Sequence, residues 1–318
     1  MGLQFGFGSG LLYGTRTDIA NSTPVRFGAM QDVSIDFDGE IKELYAQSQY
    51  AIDAARGKTK IQGKAKFAQI NATVFNNLYF GGTLNSGQNL TVYNEAHTTV
   101  ALTTDDTSAA TLAGSAILTF AAVPAGVTVG ALVVDVDAGA AIPFGTTVLS
   151  KTATTVTLSA NVAAPGVGSG DTINFTPPVT PANTATWAGD LGVYFAATGN
   201  ALTYVTTLPS ATGEYYEQDG LYYFAPADNG LSVLLNYVYT SVSGLTIVSG
   251  NPFMGTTPKF IAVFNQVYNG QQTTLKLFSA VANKLTLPTK IDDYVINEID
   301  FMAYQNAAGS VFELSTAA

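Results

Sequence analysis

The chain of 318 residues contains no cysteine, which excludes disulfide staples, thiolate metal sites and cysteine nucleophiles. Its single histidine, His97, rules out a histidine-rich metal site, and a Ser-His-Asp triad would have to use that one residue. His97 lies in a polar stretch, Asn94–Thr99, where a solvated imidazole is the expectation. Charge is scarce as well. Charged residues make up 11% against a usual quarter, so Ser, Thr, Asn, Gln and Gly must meet water or neighbouring subunits. No run of 18 apolar residues is present, so no membrane-spanning helix or anchor is expected. The opening MGLQFGFGSG has neither basic residues nor a long apolar run, so the expectation is a protein made and kept in a cytoplasm until it assembles.

The charges that are present are unevenly placed. Residues 71–250 carry one lysine, Lys151, and eleven acidic residues, which accounts for the whole net charge of −10. The two ends are close to neutral and free to pack against copies of themselves, whereas an acidic middle favours solvent. The acids of the middle, among them Asp105, Asp106, Asp135, Asp137 and Asp171, follow no known calcium-loop spacing, so no metal or other cofactor is expected. A carboxylate-pair hydrolase gains no specific support from them, and the expectation is a protein without catalytic residues.

Periodicity points to a mainly β chain. Val33, Ile35 and Phe37 alternate with Asp32, Ser34 and Asp36, the period of a half-buried strand. Asp38-Gly39 suits a tight hairpin turn, a second run reaches about Tyr50, and small residues around Ala54–Gly57 read as a loop. A third strand, Lys58–Phe67, puts Lys58, Lys60, Gln62, Lys64 and Lys66 on one side. Asn71 is a candidate N-cap for one short helix with Val74, Phe75 and Leu78 on its apolar face, ended by Gly81-Gly82. The middle is rich in Thr, Ala, Val and Gly, with short strands punctuated by Pro and Gly, as in small β-sandwiches. Asp219-Gly220 and Asn269-Gly270 predict two further hairpins, and Asn297–Tyr304 alternates as a closing strand. Both ends have stronger amphipathic strands than the middle. The predicted organisation is a discontinuous core of residues 1–95 and 246–318, an inserted β module of 96–112 and 177–245, and a nested β module of 113–176.

Two stretches, MQDVSIDFDGEIKELYAQSQYAIDAARGKTKIQGKAKFAQINATVFNNLYFGG and PKFIAVFNQVYNGQQTTLKLFSAVANKLTLPTKIDDYVINEIDFMAYQNAAGSVFEL, resemble the major tail tube proteins of long-tailed bacteriophages. The segment GEYYEQDGLYYFAPADNGLSVLLNYVY looks like a β module that recurs in phage structural proteins. The resemblance implies a β-barrel or sandwich core that forms hexameric rings stacked into a hollow tube of the virion tail, through which double-stranded DNA passes. It implies tail-tip initiator, tape-measure and terminator proteins as partners. The polar hairpin face, with Asp32, Ser34, Asp36, Lys60, Gln62 and Lys64, would then line the lumen. Ser48, Tyr50, Asp53 and Arg56 of the loop, and Leu11 and Tyr13 of the glycine-rich arm 1–25, would meet the adjacent ring. The family's lumen is acidic, and this lysine-rich third strand departs from it; the lysines either turn away or pair with the aspartates. The alternative is a β-sandwich adhesin that binds glycans, with Tyr215, Tyr216, Tyr222 and Tyr223 as a sugar-stacking surface.

Overall fold

The structure, a computed structural model, describes residues 6–47, 49–137 and 141–316. It is mainly β and divides into two compact units. A terminal unit joins Met1–Ser86 to Leu245–Ala318, and an inserted unit spans Gly87–Gly244.

The terminal unit begins with β1 (Leu11–Arg16) and β2 (Val25–Arg26), followed by the long strands β3 (Met30–Tyr45) and β4 (Ala51–Phe67). These last two form one continuous antiparallel hairpin, from Met30 opposite Phe67 to Tyr45 opposite Ala51. The turn expected at Asp38-Gly39 is therefore absent. Asp38 and Gly39 stay extended opposite Lys60 and Thr59, and the only trace of the dipeptide is a bulge between Gly39 and Ile41. A turn there would forfeit the ladder beyond it, whereas a bulge costs a local interruption. The loop expected at Ala54–Gly57 is strand for the same reason. The helix forms as its cap predicts. Asn71 Oδ1 accepts the Thr73 and Val74 N–H groups at 3.0 and 3.3 Å. Helix α1 (Ala72–Phe75) widens into a π-turn over Asn76–Phe80 and stops at Gly81, whose φ of 64° suits glycine. Strand β5 (Thr83–Thr98) leads into the inserted unit.

The inserted unit holds two hydrophobic cores. Strands β6 (Thr103–Ala109), β7 (Ile117–Phe120), β8 (Leu132–Asp135), β9 (Val148–Lys151), β10 (Thr155–Leu158) and β11 (Thr172–Thr176) form one sheet in the order β8-β11-β6-β7-β10-β9. Leu118, Phe120, Val156, Ile173 and Phe175 fill its core. Because β6 pairs with both β11 and β7, this module takes in strand residues before the boundary expected at 113. Strands β12 (Trp187–Phe195), β13 (Thr203–Tyr204), β14 (Glu214–Gln218), β15 (Leu221–Phe224) and β16 (Ser232–Val248) build the second part, as the sheets β12-β16-β5 and β13-β14-β15. Asp219 and Gly220 take the positive φ values, 52° and 78°, that a two-residue hairpin requires.

One carboxylate ties this second part together. Glu95 of β5 accepts the Tyr237 hydroxyl at 2.6 Å, the Ala182 N–H at 2.8 Å and His97 Nε2 at 2.6 Å. Burial pushes its carboxyl up, but the bonds from Tyr237, His97 and Ala182 outweigh this and hold its pKa below the ordinary 4.5. A lowered carboxylate pKa contributes stability in full above the unfolded value, and the contribution is lost as pH falls through the folded one. Glu95→Gln is thus expected to cost about 1 kcal/mol at neutral pH, a charge-assisted bond tempered by partial exposure. Urea melts at a series of pH values should show the gap to wild type closing below pH 4.5. A gap that persists unchanged in acid would contradict the assignment.

The chain returns to the terminal unit with β17 (Phe260–Tyr268), β18 (Gln271–Thr286), β19 (Asn297–Ala303) and β20 (Phe312–Thr316). Asn269-Gly270, with φ values of 48° and 75°, turns β17 into β18 as expected. The sheet runs β2-β1-β17-β18-β19-β4-β3, with β20 paired to β18. It is open: among the described residues its end strands β2 and β3 have no further strand partner, so of the barrel or sandwich core expected, the barrel is not closed. One face of the sheet buries Leu12, Phe67, Phe260, Ile299 and Phe301 beneath Val74, Phe75 and Leu78 of the helix. Burial of one face against a helix is what the alternation in β4 and β19 demands.

Candidate functional site

The uncovered face of β4 and its neighbours gathers nine charged side chains of the terminal unit. Asp32, Ser34, Asp36 and Asp38 stand directly opposite Lys66, Lys64, Gln62 and Lys60. All six residues proposed from the sequence for this face therefore share it. On the other side of β4, Glu298 and Asp300 of β19 stand opposite Lys66 and Lys64. Lys284 of β18 stands opposite Asp300. Sequence reasoning did not place Glu298, Asp300 and Lys284 in the site; the alternation of β19 gave their face but not its neighbour.

Carboxylates and lysines meet here. Lys64 Nζ lies 2.9 Å from Glu298, and Lys284 Nζ lies 3.4 Å from the same oxygen and 3.9 Å from Asp300. Lys66 lies 3.9 Å from Asp32. The hydrogen bond from Lys64 holds the Glu298 carboxyl below its ordinary pKa, against the opposing effect of burial, and Lys284 adds to it. The same bond raises the Lys64 ammonium. Of the third-strand lysines, Lys64 and Lys66 thus pair with acids. Beside these pairs Ser34, Asp36, Gln62, Asn283 and Met302 line an open depression.

Beyond Asp38 the hairpin leaves the sheet. Residues 51–60 are exposed throughout, because β19 ends at Ala303 opposite Ile61. On β3 the apolar period continues into this exposed part, with Phe37, Ile41 and Tyr45 on one side. Ile41 is 67% exposed and Tyr45 56%, while Phe37 has one partner, the Phe312 ring at 5.0 Å. Leu44, Tyr50 and Ile52 extend the apolar exposure. Exposed apolar side chains recurring along one strand, here with Gly39 and Glu43 between them, are a feature of interaction surfaces.

The residues expected to meet an adjacent ring separate into three groups. Tyr50 sits in the turn of the hairpin and Asp53 and Arg56 on the exposed part of β4. Ser48 lies outside the described residues. Leu11 and Tyr13 belong to β1, which pairs with β17 of the same chain, Leu11 opposite Asn265 and Tyr13 opposite Val263. They are half-buried, with Leu12 between them fully buried on the helix side, so this part of the glycine-rich arm is a strand of the chain's own sheet.

The four tyrosines of the glycan-binding alternative do not form a stacking surface. Tyr215, Tyr222 and Tyr223 are buried. The Tyr215 and Tyr222 hydroxyls donate to Asp190 at 2.6 and 3.0 Å, and that of Tyr223 donates to the Gly130 carbonyl at 2.7 Å. Burial drives all three hydroxyl pKa values upward, foremost among the causes. Tyr216 packs on Phe144, its ring 4.9 Å away.

Among the described residues no group of three or more His, Asp or Glu is placed to hold a metal ion. No helix among them is long and apolar enough to cross a membrane. Comparison with known protein families finds no match, and comparison with curated proteins finds none either.

Proposed function

We propose that this chain is the subunit of a phage-type tail tube, six copies to a ring and ring upon ring, with double-stranded DNA passing along the lumen. The observation that carries the reading is the hairpin β3–β4. Half of it extends past the sheet, exposed on both faces, with an apolar row that a single chain leaves in water. Such a row is stabilised only when other copies cover it. The unpaired outer edge of β3, 16 residues long, adds a second reason for association, since a long free edge is an aggregation hazard that joining sheets between subunits removes. The charged face next to the hairpin becomes the lumen wall, and the acidity of the inserted unit favours solubility. Tip, tape-measure and terminator proteins are the partners that such a tube requires, and the virion tail is its location.

Negative-stain electron microscopy of the concentrated protein, with light scattering alongside, tests this directly. Six-fold rings or hollow tubes are the expected result. A chain that remains monomeric at every concentration, both alone and with a tail-tip initiator present, overturns it and returns attention to a binding module.

A further inference from the structure

The charged face is a lattice of opposite signs. Asp32, Lys66 and Glu298 lie in one row across β3, β4 and β19. Ser34, Lys64, Asp300 and Lys284 lie in the next, which reaches β18. Counting Asp36, Asp38 and Lys60 further along, five carboxylates face four lysines. Glu298 is the hub. One of its oxygens takes both Lys64 and Lys284, and its side chain is only 19% exposed.

The geometry points to a role for Glu298, supported by Asp300, as the residue that keeps this face from holding nucleic-acid phosphate. This rests on the tube reading for the presence of DNA at the face. Lysines bind a phosphate backbone largely because each contact releases condensed counterions. A lysine already paired with a fixed carboxylate must break that pair first, and the carboxylate it leaves behind repels the phosphate. A wall of lysines alone would hold the duplex, and a wall of acids alone would repel it. A wall paired within itself does neither, which suits a polyanion that has to slide. The ladder register imposes the arrangement, because Glu298 and Asp300 alternate on the same face as the lysines they meet.

The test compares binding of a short fluorescent double-stranded DNA to the purified chain and to the variant Glu298→Gln/Asp300→Asn, by anisotropy over a series of salt concentrations. Lys58, Lys60 and Arg56 are common to both proteins and cancel in the comparison. The variant is expected to bind more tightly, with a log K against log salt slope steeper by about 1.8, two freed lysines at ~0.9 each. Adding Lys64→Gln and Lys284→Gln should remove the gain. A variant with an unchanged melting curve and the affinity and slope of wild type overturns the proposal. Should the double variant fail to fold, Lys64→Gln in the wild-type background decides. No change in DNA affinity is expected because that lysine is already committed, and a loss overturns the proposal. Imaging the same wild-type preparation separates the two ideas. A gain in affinity without rings upholds the neutralised face and removes the tube reading, while rings without a gain do the reverse.

Discussion

Alanine in place of Gly63 is expected to destabilise the terminal unit by about 3 kcal/mol, the upper part of the range for overpacking a filled core. Gly63 lies inside β4, opposite Ile35 on one side and Phe301 on the other. A Cβ built there would come within 2.2 Å of two atoms of the Phe301 ring. The ring occupies the space that a side chain at position 63 would need, which compensates a glycine that otherwise weakens a strand. Phe301 cannot retreat easily, being 1% exposed and in edge contact with Phe260 at 5.9 Å. Urea unfolding of Gly63→Ala measures the loss. Pairing it with Phe301→Leu should recover part of it, so that the double variant is less destabilised than the two single changes summed. A Gly63→Ala protein within about 0.5 kcal/mol of wild type would mean that the strands move apart at low cost.

The second large effect concerns association and leaves the single chain alone. Ile41→Asp with Tyr45→Asp should give a protein with the circular dichroism and melting temperature of wild type, since both side chains are mostly exposed on an outlying ribbon. Covering each is worth about 1.5–3 kcal/mol, so losing both raises the concentration needed for ring formation by roughly two to four decades. Light scattering across a dilution series, read beside electron micrographs, measures that shift. Rings that form at the wild-type concentration would remove the hairpin from the interface.

What could be read from the sequence was what neighbouring residues decide among themselves. The Asn71 cap, the Asp219-Gly220 and Asn269-Gly270 turns and the alternation of β19 each depend on a few residues and came out as expected. The Asp38-Gly39 turn failed because the rest of the β3–β4 ladder, remote in sequence, outweighs a local preference. Ala54–Gly57 looked like a loop because a strand bare on both faces shows no alternation of apolar and polar residues. The shared polar face was legible in β3 and β4 taken singly. Its ion pairs were not, because Glu298 reaches Lys64 only through a pairing between opposite ends of the chain.

That pairing also bears on the order in which the protein can be made. The inserted unit is contiguous and can fold as it is synthesised, whereas β4 waits for β19 and β1 waits for β17 until the whole insertion has been translated. Long-range strand pairing of this kind folds late and slowly. An incomplete chain therefore has a finished middle and an unanchored hairpin, and only a chain translated through β19 can present that hairpin in a fixed position. Fixing the hairpin in the sheet is thus reserved for the last strands of the chain to be made.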